Sequence, residues 1–305
     1  MDSLIIENLS KSFGSNRIID SISFSVPQGS IFGFLGENGA GKTTTMKMIL
    51  GLLKKDDGII KVCGEEVYYG ETKTNRFIGY LPDVPAFYGY MKPIEYLKLC
   101  GEITGMDGKI LKRRIEELLN LVGLENNNKK IGGFSRGMKQ RLGIAQALLN
   151  EPKLLICDEP TSALDPVGRK EILDILLKIK GKSTVIFSTH ILSDVEKICD
   201  SIAILHKGNI ALSGEVEKLK QGKRKDVLSI EFTEQTDLNK FMMFEKILDY
   251  KEHINVEGKN VLISSNNIGK VQRYVLFELG KENILPAKIE ILEPTLENLF
   301  MEVVK

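Results

Sequence analysis

The residues best able to do chemistry lie in one short segment, Gly36 to Thr43, which reads G-E-N-G-A-G-K-T. It matches the phosphate-loop spacing G-x-x-x-x-G-K-[ST], in which glycines let consecutive backbone N–H groups turn toward a phosphate. Lys42 is then expected to reach the β- and γ-phosphates, and the hydroxyl of Thr43 to bind Mg²⁺. The predicted ATP-binding residues in this region are Gly36, Glu37, Asn38, Gly39, Ala40, Gly41, Lys42, Thr43 and Thr44.

The residues on either side of this segment predict the elements that hold it. The apolar run Ile31–Leu35 before it predicts a buried strand. After it, Met46, Ile49, Leu50 and Leu53 recur at helical spacing, so a helix is predicted over 44–53. A strand, a glycine loop and a helix N-terminus in this order form an anion site. A chance glycine-rich turn would not have both elements in place, and we expect a nucleoside triphosphate to bind here.

Two carboxylates follow a second buried strand. Leu154–Cys157 is a continuous apolar run, and Asp158 and Glu159 come directly after it. Ligand groups in open α/β sheets gather at the carboxyl ends of the strands. Asp158 is therefore expected to hold the Mg²⁺ shell together with Thr43, and Glu159 to orient the attacking water.

A histidine follows the next apolar run. The run Thr184–Phe187 is typical of another strand buried on both faces, and Ser188, Thr189 and His190 follow it. His190 is a candidate to hydrogen-bond the γ-phosphate and the attacking water, although a histidine at a strand end can also be purely structural. The predicted catalytic set is Glu159, His190 and Lys42.

Composition excludes several classes of protein. The 305 residues include 42 Lys and Arg against 41 Asp and Glu, so no overall field favours nucleic acid, and no nucleic-acid partner is expected. No signal-peptide pattern and no apolar run long enough to span a bilayer is present in the sequence. The four scattered cysteines indicate reduced thiols of a cytoplasmic protein rather than a zinc site.

The pattern along the chain predicts two domains, 1–220 and 221–305. In the first, short strands surround the loop, a helical region covers about 88–150, and parallel-sheet strands follow. Charged residues over 218–226 are interpreted as a flexible linker. The second domain is predicted as strand (227–232), helix (238–248), strands (254–256 and 261–263), helix (271–279) and strand (287–292), which is the ferredoxin-like order. A last helix is expected after Pro294, with Thr295 as N-cap.

The segment Phe134–Arg141, which reads F-S-R-G-M-K-Q-R, is the most specific indication of a protein family in this sequence. With it, residues 1 to about 220 resemble the ATPase subunits of ATP-binding cassette (ABC) transporters, whose L-S-G-G-Q motif stands at this place. His190 matches the family's switch histidine, Phe13 its adenine-stacking aromatic residue, and Asp83 its Q-loop position. The residues that match its D-loop are Ser162, Ala163, Leu164 and Asp165.

This resemblance implies an α/β fold: a P-loop NTPase core of the RecA type, an antiparallel β subdomain and a helical subdomain. It implies ATP hydrolysis with ATP and Mg²⁺, and a metal shell of Thr43, Asp83 and Asp158. It also implies a head-to-tail dimer, with a second copy or a similar cassette, in which one subunit contacts the other's ATP through Ser135, Arg136, Gly137 and Met138. The remaining partner is an integral membrane permease, which holds the cassette at the inner face of the cell membrane.

Two motifs depart from the family's pattern. Asp83 stands where glutamine is usual, and the signature segment carries Arg136 and Met138 where glycine and glutamine are usual. With the segment 293–300 (E-P-T-L-E-N-L-F), these features resemble the cassettes of type-2 drug, antibiotic and polysaccharide exporters.

The aromatic loop Pro82–Met91 stands where the family receives its permease, although its rings could instead pack within the helical region. Lys139 and Arg141 are either phosphate-binding or simply solvated.

Two other classes of function compete with transport. One is a cassette ATPase that acts on ribosomes or DNA, but such relatives usually carry two cassettes or long coiled coils, and neither pattern is present in the sequence. The other is a module that binds ATP without hydrolysing it, which an intact set of Lys42, Asp158, Glu159 and His190 disfavours. The role of the second domain is left open between ligand binding, dimerisation and permease contact.

Overall fold

A computed structural model of the protein describes residues 2–125, 128–222, 226–244, 247, 254–265, 267–292, 296, 297, 299 and 300. The chain divides into two compact units, one built mainly from Met1–Val216 and one from Glu217–Glu302. Among the described residues, the helices are too short or too polar to cross a bilayer.

Among its described residues, the first unit contains two sheets and six α-helices that lie before Val216. The strands are β1 (Asp2–Phe13), β2 (Asn16–Pro27), β3 (Ile31–Gly36), β4 (Asp57–Val62), β5 (Glu65–Glu66), β6 (Ile78–Leu81), β7 (Leu154–Asp158), β8 (Thr184–Thr189), β9 (Ser201–His206) and β10 (Asn209–Glu215). The helices are α1 (Lys42–Ile49), α2 (Pro93–Ile103), α3 (Gly108–Leu121), α4 (Arg136–Ala147), α5 (Pro166–Ile179) and α6 (Leu192–Ile198).

The larger sheet positions the glycine loop and the carboxylates at one edge. Its strand order is β10-β9-β3-β8-β7-β6, and β3, β6, β7, β8 and β9 pair in parallel, while β10 closes an antiparallel hairpin with β9. Every residue of β3, β7 and β8 is buried, as the continuous apolar runs predict. The carboxyl ends of these three strands therefore meet at one edge of the sheet.

The smaller sheet is antiparallel, with strand order β2-β1-β4-β5. It packs on the larger sheet and α1 through a shared apolar core, in which Leu4, Phe34, Met46 and Ile186 are almost completely buried. The helix predicted over 44–53 is shorter than expected. α1 begins at Lys42 and ends at Ile49, because Gly51 adopts the left-handed conformation (φ 68°) that terminates the helix before Leu53.

The helical region lies between β6 and β7. Pro93 is the first residue of α2, and Leu111, Ile115, Leu118, Leu119 and Val122 are buried on the inner side of α3 and its C-terminus, as the periodicity predicts. α4 lies directly against β6 because both elements carry glycine at the contact. A Cβ atom on Gly143 would lie 2.5 Å from Leu81 Cδ1, and one on Gly79 would lie 2.1 Å from the carbonyl oxygen of Ala147.

Two boundaries in the second half of the chain differ from the sequence prediction. The charged stretch after Val216 is not a simple linker, since Val216–Gly222 forms helix α7 and β11 begins at Asp226. The helix predicted over 238–248 is α8 (Gln235–Phe241), which ends where Met242 and Met243 form a turn. The apolar pattern continues past its end because Phe244 also packs on the core of the second unit.

The second unit is a four-stranded antiparallel sheet with helices between its strands. Its remaining elements are β11 (Asp226–Glu231), β12 (Ile254–Glu257), β13 (Asn260–Ser265), α9 (Ile268–Lys281) and β14 (Lys288–Leu292). The strand order is β12-β13-β11-β14. Leu228, Ile230, Phe241, Val261 and Val275 are fully buried in its core. Pro294 and Thr295, at the start of the expected last helix, lie outside the described residues.

We expect Gly79→Ala to destabilise the first unit. The new Cβ atom would meet the backbone of Ala147 at 2.1 Å, so β6 and α4 must separate, and overpacking of this kind costs about 1–3 kcal/mol. Gly108→Ala, at the first residue of α3 with no atom within 4 Å of the new Cβ, is the matched control. The unfolding midpoint of each variant is measured by chemical denaturation. Equal midpoints for the two would contradict the close approach of α4 to β6.

Candidate functional site

The loop between β3 and α1 requires glycine at two positions. A Cβ atom on Gly36 would lie 2.6 Å from the carbonyl oxygen of Leu205. Gly41 has φ 108°, and a Cβ atom there would lie 2.5 Å from Ile19 Cδ1. Glu37, Asn38 and Gly39 are exposed at the tip of the loop, and α1 follows at once. The loop can therefore turn its backbone and the α1 N-terminus toward an anion.

The ammonium group of Lys42 lies inside this loop. The residue is only 6% exposed, and its Nζ donates to the carbonyl oxygens of Gly36 at 2.7 Å and Glu37 at 3.2 Å. Its ionic partner is Glu159, whose Oε1 lies 3.1 Å away. A buried cation is stable only when paired and hydrogen-bonded, so these contacts hold Lys42 at the mouth of the loop.

A chain of hydrogen bonds joins α1 to the ends of β7 and β8. Thr43 Oγ1 donates to Asp158 Oδ2 at 2.8 Å, and Ser188 Oγ donates to Asp158 Oδ1 at 2.6 Å. Asp158 is buried and lies opposite Ser188 in the parallel register of the two strands. A hydroxyl and a carboxylate oxygen side by side are the oxygen donors that Mg²⁺ prefers, so Thr43 and Asp158 fit the metal.

Glu159 is held in a strained conformation by its neighbours. Its φ of 49° is in the left-handed region that non-glycine residues rarely adopt, and its backbone N–H is directed at both the carbonyl and the hydroxyl oxygen of Ser188. Its Oε2 lies 2.9 Å from His190 Nδ1. The His190 ring is 43% exposed, so it contacts Glu159 from the solvent side. The structure thus brings Lys42, Glu159 and His190 together.

A cavity of about 380 Å³ opens in front of these groups. The residues that line it are Phe13, Ile18, Asn38, Gly39, Gly41, Lys42, Thr43, Thr44, Asp83 and Glu159. Phe13 is 51% exposed at its rim, where a planar group could stack on the ring. The predicted aromatic contact, the phosphate loop and the carboxylates of Glu159 and Asp83 therefore share one space, while Asp158 lies behind Thr43 and does not line it.

Asp83 reaches the cavity from the segment after β6. Arg136 donates to its Oδ1 at 3.1 Å, and Gln140 Nε2 donates to its carbonyl oxygen at 2.5 Å. Burial, and then the carboxylates of Asp158 and Asp83, raise the pKa of Tyr80 to about 12. The negative charges of Asp83 and Asp158 therefore act on one side chain beside the cavity.

The segment at the start of α4 does not line this cavity. Ser135 is exposed and caps α4 by accepting from Met138 N–H at 3.2 Å, as predicted. None of the four predicted in-trans residues, Ser135, Arg136, Gly137 and Met138, lines the cavity. Arg141 fits neither of its two sequence interpretations, because its Nη1 donates to the carbonyl oxygen of Val122 at 3.1 Å and so caps the C-terminus of α3.

The predicted D-loop joins Glu159 to α5. Ser162 N–H donates to the carbonyl oxygen of Glu159 at 3.1 Å, and Ala163 has φ 52°. Leu164 is buried, and Asp165 caps α5 by accepting from Gly168 N–H at 3.2 Å.

The sequence interpretation did not assign roles to Ser188, Gln140 and Ile18. Ser188 donates to the Asp158 carboxylate and accepts from the backbone N–H of Glu159, Gln140 holds the backbone of Asp83, and Ile18 lines the cavity. The sequence could have indicated the role of Ser188, because a serine in a strand that is buried on both faces requires a hydrogen-bond partner.

Comparisons with known proteins find related sequences and a related fold. A family model described as "ABC transporter" matches residues 19–162. The chain is 38% identical over 302 residues to the bacitracin transport ATP-binding protein BcrA of Bacillus licheniformis, covering 97% of this chain and 95% of that one. It is 35% identical to the linearmycin resistance ATP-binding protein LnrL of Bacillus subtilis (strain 168), covering 97% and 96%. It is similar to a solved ATP-binding subunit of an ABC transporter, with a TM-score of 0.65 and 33% identity over 72% of this chain and 92% of that one.

We expect Ser188→Ala to destabilise the protein by about 1–3 kcal/mol, because Oδ1 of the buried Asp158 carboxylate loses its hydrogen-bond donor while Thr43 still donates to Oδ2. Thr161→Val is the control, since the buried Thr161 hydroxyl has no hydrogen-bond partner within the described part of the chain. Its replacement is expected to be neutral or stabilising. Denaturant titration of both variants is the measurement. If the unfolding midpoint of Ser188→Ala equalled that of the wild type, Asp158 would be held in place without the serine.

Proposed function

The chain belongs to the ABC transporter family as an ATP-binding subunit that hydrolyses ATP, and we propose that it drives export of a substrate through a separate membrane permease. The single observation that carries the proposed chemistry is the convergence of Lys42, Thr43, Asp158 and Glu159 at one edge of the parallel sheet. A phosphate cradle, oxygen donors for a metal and a carboxylate for water activation are the parts that hydrolysis of a triphosphate needs.

The proposed roles follow from the contacts of each residue. Lys42 exchanges its bond with Glu159 Oε1 for the β- and γ-phosphates of ATP, and Thr43 with Asp158 supplies oxygen ligands. Mg²⁺, when bound, neutralises charge on the phosphates. Glu159 orients the attacking water and accepts its proton, while His190 holds the Glu159 carboxylate through its Nδ1 contact. Phe13 stacks on the adenine ring at the rim of the cavity.

We further propose a head-to-tail dimer that closes around two ATP molecules. The start of α4 is exposed and capped by Ser135, so it offers an N-terminal anion site that its own cavity does not use. A second copy or a similar cassette would place Ser135, Arg136, Gly137 and Met138 against the ATP of the first subunit, with Ser162–Asp165 between the two sites.

The proposed permease contact is the loop Pro82–Met91, which follows β6. Three of its side chains are exposed, those of Val84, Tyr88 and Tyr90. The Phe87 ring instead packs edge-on against the Tyr96 ring, with 5.1 Å between the ring centroids. The exposed members supply apolar surface for a partner, and Phe87 packs within the helical region. Binding there would hold the subunit at the inner face of the cell membrane.

The domain boundaries 1–220 and 221–305 are proposed for a nucleotide-binding domain and an accessory domain. The strand order β12-β13-β11-β14, with antiparallel pairing throughout, supports a ferredoxin-like fold for the second. Export is supported by the names of two relatives, one in bacitracin transport and one in linearmycin resistance. These names do not favour the competing interpretation of a cassette that acts on ribosomes or DNA.

Glu159→Gln tests the proposed catalytic role. We expect ATP binding to persist and turnover to fall by about 10²–10⁴-fold, because the amide cannot accept a proton from water. The bound ATP should then hold the dimer together. Glu116→Gln, an exposed change on α3, is the charge-matched control. ATP turnover and light scattering with Mg·ATP provide the two measurements. Turnover close to wild type would remove Glu159 from this role.

Complementation tests the in-trans arrangement. Ser135→Asp preserves a good N-cap but places a negative charge against phosphate, and Lys42→Ala damages the loop. We expect each variant alone to be inactive and a mixture to regain turnover, because one of the two sites in a mixed dimer combines an intact loop with an intact α4 start. Ser135→Asn, which caps without charge, is the control. No recovery in a mixture shown to contain mixed dimers would contradict the arrangement.

A further inference from the structure

Asp83 is attached to α4 at two points. Arg136 donates to its carboxylate at 3.1 Å, and Gln140 donates to its backbone carbonyl at 2.5 Å. Arg136 and Gln140 lie one helical turn apart on the same side of α4. The segment after β6 and the first two turns of α4 are therefore linked through this one residue.

The two attachments differ in strength. Gln140 is completely buried, so its bond to the Asp83 backbone is shielded from water. The side chains of Arg136 and Asp83 are 43% and 46% exposed, and an ion pair with this exposure is weak and screened by salt. The backbone of Asp83 is thus anchored, while its carboxylate can change partner.

A second partner for this carboxylate is available in the cavity. Asp83 lines the same space as Lys42 and Thr43, and Thr43 is bonded to Asp158. A divalent cation held by the Thr43 hydroxyl and the Asp158 carboxylate would carry two positive charges, whereas Arg136 carries one. The cation would therefore attract the Asp83 carboxylate more strongly than Arg136 does. Both members of this ion pair, Asp83 and Arg136, are among the residues that depart from the family's pattern.

We propose that Arg136 is a positioning residue that competes with the nucleotide-bound divalent cation for the carboxylate of Asp83. With a divalent cation and ATP bound, the Asp83 carboxylate would leave Arg136 and serve as an oxygen ligand of the cation. The released guanidinium at the first turn of α4 is then free to face the nucleotide of a second subunit. This inference rests on the proposed function, since it requires metal–nucleotide in the loop cavity.

The test measures the Mg²⁺ concentration that half-saturates binding of a fluorescent, non-hydrolysable ATP analogue, at protein concentrations below those that give dimers. We expect Arg136→Ala to lower that concentration by about two- to five-fold, the range of an exposed ion pair. Asp83→Asn should raise it, and Arg136→Ala added to Asp83→Asn should have no further effect. Arg113→Ala, which removes an exposed arginine on α3, is the matched control and should leave it unchanged.

The outcomes separate this inference from the proposed function. A wild-type chain that binds the analogue, combined with an unshifted Mg²⁺ requirement in Arg136→Ala, would overturn the competition alone. The same shift from Arg136→Ala in the wild-type and the Asp83→Asn backgrounds would overturn it too, because Arg136 would then act without the carboxylate. A wild-type chain that fails to bind the analogue at any Mg²⁺ concentration would overturn the proposed function and this inference with it.

Discussion

Burial of the Lys42 ammonium group is the constraint on which the rest of the site depends. A cation that is 6% exposed must be compensated, and here the compensation comes from the carbonyl oxygens of Gly36 and Glu37 and from the Glu159 carboxylate. The carbonyls belong to the end of β3 and the carboxylate follows β7, so the two strand ends must meet at one edge. In the proposed function, a phosphate that enters the loop would compete with Glu159 for the same cation and would leave this carboxylate available to water.

The parallel register extends this constraint across the sheet. β8 lies between β3 and β7, and its Ser188 bonds both the Asp158 carboxylate and the Glu159 backbone. The left-handed backbone at Glu159 is stabilised by this second contact. Positioning of the carboxylates is therefore a property of three adjacent strands, and any separation of β7 from β8 would misplace both of them at once.

Local patterns predicted the parts of the site, but not all of its contacts. The strand, loop and helix around Gly36–Thr43 could be predicted because spacing alone determines which residues face a phosphate. The ends of α1 and α8 were misplaced, since apolar periodicity continues where side chains pack on the core outside a helix. The ion pair between Asp83 and Arg136 joins residues far apart in sequence. It depends on the packing of α4 against β6, which no local pattern contains.

That packing gives α4 two different ends. Its C-terminal half lies directly on β6 through Gly79 and Gly143, where an added Cβ atom would overlap the neighbouring backbone or side chain. At its start, Ser135 and Arg136 are exposed, and Arg136 is joined to the cavity through the Asp83 side chain. A helix fixed at one end and weakly held at the other can respond to charge in the cavity by a small change at its first turn, without any loss of core packing. The glycine contacts that stabilise the fold thus limit where such motion can occur.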